Sequence, residues 1–143
     1  VAGLIEIATD AETLTGSDAT RAVSPAGLTS VYSTIRSIPQ NSKSAAYTLV
    51  LADAGKHIYH PGADTSARTW TIPANASVAY PIGTAITFVN DTSGGVITIA
   101  VTSDVLVLSP DGTTGSRSLA ANGIATCIKM TATRWMISGS GLT

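Results

Sequence analysis

The sequence predicts a mainly β protein that begins with a short helix. Three observations carry this expectation. The spacing of apolar residues changes from three and four to two near residue 44. Turn dipeptides then recur between the alternating stretches. Only 12% of residues are charged, against roughly a quarter in ordinary domains, and Ser, Thr, Ala and Gly make up the difference.

Residues 3–8 (Gly3-Leu4-Ile5-Glu6-Ile7-Ala8) read as a short strand, and Asp10 through Asp18 as a polar loop around Gly16. A helix start follows. Ser24 can cap open backbone N–H groups, and Pro25 suits the first helical position. The helix is expected to run to about Ile38, where Pro39 stops it. Its apolar residues Leu28, Val31, Ile35 and Ile38 have the spacing of a coiled-coil seam, with Tyr32 beside it. A helix this short is marginal alone, so it must pack on its own domain or on other copies. Gly27, Ser30, Ser33, Thr34 and Ser37 fill its other faces and favour other copies.

Residues 39–44 read as a linker, which divides the chain into a region 1–43 and a β-domain 44–143. In the β-domain Tyr47, Leu49 and Leu51 alternate with polar or smaller residues, as do Trp70 and Ile72, Ile86 and Phe88, and Ile97, Ile99 and Val101. Further strands are expected at 56–60, 105–108, 124–130 and 134–138. Turn signals separate them, among them Pro61-Gly62, Ser93-Gly94-Gly95, Asp111-Gly112 and Asn122-Gly123. The last is a strong hairpin signal. About eight short strands so spaced predict a β-sandwich or jelly-roll-like domain.

Composition excludes several functions. The net charge of −1 leaves no basic excess for nucleic-acid binding. No apolar run approaches the roughly 18 residues of a membrane span, and no polybasic segment would hold an anionic membrane. Residues 1–6 lack the features of a signal peptide, and the missing initiator Met points to a fragment or a processed product. The single cysteine, Cys127, excludes an internal disulfide and a multi-cysteine zinc site. No cofactor is expected.

Two stretches resemble bacteriophage tail-fibre proteins. Gly3-Leu4-Ile5-Glu6-Ile7-Ala8-Thr9, Ala11-Glu12 and Asp18 through Pro25 are similar to a short repeat of such fibres, here in one copy. Leu51 through Lys56, Thr71 through Ser77, Pro81 through Thr84 and Trp135 through Gly139 resemble a β-domain of phage fibre and virion structural proteins. The resemblance implies a virion location, a homotrimer, other tail proteins as partners, and contact with a polysaccharide or protein receptor on the bacterial surface. Three copies of the seam would then form a trimeric coiled-coil stalk, which Ile at both seam positions of the second heptad allows.

Catalysis is a weak expectation. Glycan cleavage needs two facing carboxylates, and residues 44–143 hold only Asp53, Asp64, Asp91, Asp104 and Asp111, with no telling spacing. Asp91 and Asp111 sit in turn contexts. His57 and His60, three apart on a strand, point to opposite faces, so one chain cannot easily clamp a metal with both; in a trimer one His from each chain could meet at the axis, but no metal site is expected. Cys127 reads as a buried thiol, and Trp70 and Trp135 as core. Glycan recognition needs aromatic platforms with polar donors. The turn carrying Tyr59, His60, Asp64 and Arg68 is the best candidate for an exposed binding edge.

Overall fold

The computed structural model describes residues 5–143, which form two units divided between Ile38 and Pro39. In the first unit, α1 spans Asp10–Thr15, where the sequence had predicted a loop. Thr9 and Glu12 form a reciprocal capping box, and Gly16 closes the helix in the left-handed conformation at φ 65°. The start and stop signals, Thr9 and Gly16, were therefore present about two turns apart. The expected strand at 3–8 reduces to a parallel bridge between Ile7 and Ala22, and Gly3 and Leu4 lie outside the described residues. Arg21 ties the unit together by pairing with Glu6, Glu12 and Asp18.

The second helix, α2, spans Pro25–Ile35. The Ser24 hydroxyl accepts from the Gly27 N–H at 3.0 Å, as a cap should. The helix ends three residues before the expected Ile38, so the last seam position lies beyond it. Gly27 packs on α1, where a Cβ would press on the Thr13 hydroxyl.

The second unit is mainly β. Its strands are β1 (Gln40–Ser42), β2 (Tyr47–Thr48), β3 (His57–His60), β4 (Arg68–Ile72), β5 (Ala85–Asn90), β6 (Ile97–Val101), β7 (Val105–Leu108), β8 (Arg117–Thr131) and β9 (Arg134–Leu142). The expected linker is thus partly strand: β1 pairs with β3. The alternation expected through Leu51 stops at Thr48, and a 3-10 turn occupies Leu51–Asp53. Asp53 is buried there and accepts from the Asn41 amide, the Tyr47 hydroxyl and the Val50 N–H.

Pairing departs from a hairpin-built sandwich. Successive strands alternate between two parallel ladders, β1–β3–β5 and β2–β4–β6, so each ladder's crossover is a strand of the other. Both ladders end on β8, which pairs antiparallel with β6 through residues 117–119 and with β5 through residues 124–128. Between these stretches lies Asn122-Gly123. It makes no hairpin turn. Asn122 adopts φ 60° inside β8, and the register against β9 shifts there. This is a bulge, which bends a strand and raises its twist. It lets one strand serve two ladders and curls the sheet. β9 then pairs antiparallel with β8 and parallel with β7.

The core forms inside this curl from Leu49, Ile58, Trp70, Ile72, Ile86, Phe88, Ile97, Ile99, Leu106, Leu119, Trp135 and Ile137. Trp70 and Trp135 are core, with Trp70 tilted on Phe88 and Trp135 edge-on to Tyr80. Cys127 is buried among them, and loss of hydration pushes its thiol pKa up to about 12.

Candidate functional site

The alternation of β3 sends Ile58 and His60 inward and leaves His57 and Tyr59 half-buried. His60 is fully buried and stands edge-on to Trp70 at 5.9 Å. An exposed binding edge is therefore not where His60 lies. Its ring bridges two loops: Nε2 meets Asp64 Oδ2 at 3.0 Å, and Nδ1 meets Asn90 Oδ1 at 2.9 Å. The Asn90 amide donates to the Gly95 and Leu119 carbonyls, which fixes its orientation. Both ring nitrogens of His60 thus face acceptors.

Asp64 also accepts from Arg68 Nε at 2.8 Å, Arg68 Nη2 at 3.0 Å and the Ser66 N–H at 3.2 Å. The Arg68 guanidinium, with His60 beside it, holds the Asp64 carboxyl far below the usual carboxylate range. Tyr59 donates its hydroxyl to Asp91. That bond pushes the Tyr59 pKa up and holds the Asp91 carboxyl down.

The structure therefore brings Tyr59, His60, Asp64 and Arg68 to one place and adds Asn90 and Asp91 from the end of β5. Glycines allow the two loops to touch. A Cβ on Gly62 would overlap the Thr92 carbonyl, and one on Gly95 would overlap the Ser66 backbone. The cluster is mostly satisfied from within. Arg68 retains its Nη1 donors as an outward polar group. The signal for Asn90 and Asp91 was readable: an Asn-Asp pair at a strand end, followed by Gly94-Gly95.

The stalk residues behave differently. Leu28 is 49% exposed, Ile35 65% and Ile38 60%, and Tyr32 is also exposed. Val31 is half-buried and lines a groove with Thr13, Val23, Pro25 and Leu28. On the β-domain, Ile128, Met130 and Met136 line a second apolar groove on the outer face of β8 and β9.

Asp111 accepts from the Thr113 N–H and hydroxyl, which depress its pKa and close a turn. Among the described residues, no group of three or more His, Cys, Asp or Glu side chains is placed to hold a metal ion. Compared with protein-family models, curated proteins and solved structures, the chain finds no match.

Proposed function

We propose that this chain is a structural, non-enzymatic part of a phage tail fibre, a homotrimer whose curled, sandwich-like β-domain attaches to the bacterial surface. The observation that carries the reading is the exposed seam of α2. Leu28, Tyr32 and Ile35 lie outside on a helix that buries only Gly27. A helix with this pattern is stabilised by burying the seam against copies of itself. The β-domain by itself also carries an apolar groove on the outer face of β8 and β9 that copies could cover.

Attachment would rest on avidity. Three weak sites on one trimer raise the effective affinity without strong single contacts. Arg68 and Tyr59 are the side chains of the loop cluster that can offer polar contacts to a glycan. A second reading, a spacer without receptor contact, draws on the same cluster: Asp64 and Asp91 already have partners inside the chain. Both readings are non-enzymatic: Asp64 pairs with Arg68, Asp91 with Tyr59, and Asp111 closes a turn, so these acids are not free to act as a facing pair.

Binding of purified bacterial surface polysaccharides separates the two. The attachment reading expects retention of the intact protein and much weaker retention of Ile35→Asp, which breaks the seam. It also expects a several-fold loss in Arg68→Ala. No retention on any polysaccharide or on whole bacterial cells would leave the spacer reading.

A further inference from the structure

Lys129 is an anomaly of the core. It shares the inward parity of Ala125 and Cys127 on β8 and is 1% exposed. A buried ammonium is costly unless paired with an anion. Among the described residues, no carboxylate forms an ion pair with it. Its Nζ instead contacts Asn75 Oδ1 at 2.6 Å, with the Trp135 ring 5.4 Å away. Cγ of Asn75 is one bond of ~1.2 Å beyond that oxygen, so it lies within about 4 Å of Nζ. A third group joins them. Asp104 is also buried; its Oδ1 accepts from the Asn75 N–H at 3.2 Å, and its Oδ2 is buried with no hydrogen-bond partner.

An amine and a carboxamide in contact inside a dry core are what an internal amide transfer requires. We propose that Lys129 and Asn75 join in an intramolecular isopeptide bond, with Asp104 holding Asn75 in place through its backbone N–H. The neutral amine adds to Cγ, and the Nζ–Cγ bond forms. Within that adduct a proton passes from Nζ to Nδ2, the Cγ–Nδ2 bond breaks, and Nδ2 leaves as ammonia. Nothing is oxidised or reduced. The core supplies what the reaction needs: reacting groups held at contact distance and water kept away. The bond would staple the loop after β4 to β8 and close the intervening strands into a covalent ring.

The test is the intact mass of the full chain under denaturing conditions, followed by peptide mapping. The proposal expects a mass lower than the sequence by one ammonia, and one branched peptide joining Asn75 to Lys129. Lys129→Arg and Asn75→Ala should each restore the mass their sequence requires. Asp104→Ala should slow the loss, and Asp104→Asn, which keeps an accepting oxygen for the Asn75 N–H, should recover part of it. A wild-type chain at full sequence mass after prolonged incubation overturns the proposal. So does an ammonia loss that persists in Lys129→Arg, because it would belong elsewhere, as in succinimide formation at Asn122-Gly123. Full cross-linking in Asp104→Ala would overturn the role given to Asp104.

Discussion

The two units of this chain treat their apolar residues in opposite ways. Residues 39–143 place Trp70, Phe88, Trp135 and a set of isoleucines inside the curl of one sheet. Among residues 5–38, Ala8 is the buried hydrophobic side chain, while Ile5, Ile7, Leu14, Val23, Leu28, Tyr32, Ile35 and Ile38 are exposed. The first pattern makes a unit that can hold its own fold. The second makes one held by local devices, a capping box and the Arg21 ion pairs, with its apolar surface turned outward. Surface ion pairs contribute little each, so under the proposed trimeric reading such a unit would gain most of its order from burial against other chains.

The contrast predicts different responses to mutation. Trp135→Ala should destabilise the β-domain by about 3–5 kcal/mol, since it empties a large buried site; chemical denaturation followed by circular dichroism measures this. Ile35→Asp should leave that transition in place and instead lower the solution mass. If it melted the β-domain as strongly as Trp135→Ala does, the two units would not be separable in this way.

Acid should act mainly through the loop cluster and α1. The carboxyls of Asp64, Asp91, Glu12 and Asp18 are all held below their ordinary values by hydrogen bonds and cations. Groups with depressed folded-state pKa values contribute stability that is complete above the unfolded values near 4. It is lost as pH falls through the folded values. Thermal melts from pH 6 to pH 2 should therefore fall steadily below about pH 4, and Asp64→Asn should flatten part of that fall. The smallest effect is local: Thr9→Ala should remove about 1 kcal/mol from α1, seen as faster amide exchange at Glu12 with little change at Ile99.

What the sequence disclosed follows the range of its signals. The two-residue alternation placed β4 to β7 closely, and Ser24-Pro25 marked the start of α2. Both are local. Strand partners are not. Asn122-Gly123 has the residues of a hairpin turn, yet the strand runs through it, because β8 must bend there to reach both ladders. The site showed the same limit. Tyr59, His60, Asp64 and Arg68 lie close in sequence, but burial of His60 depends on Asn90, Asp91 and the close approach at Gly62 and Gly95. Lys129 was legible by parity alone, one lysine on the inward side of an alternating strand. Its neighbours Asn75 and Asp104 come from distant turns that only the fold brings together.

The central claim is that residues 5–38 are completed by other copies of the chain. Light scattering on the full chain and on a shortened chain beginning at Pro39 tests it most directly. The account predicts a mass of three chains for the full protein at micromolar concentration and a lower mass for the shortened one. A monomeric full chain with the same melting behaviour as the shortened chain would contradict it.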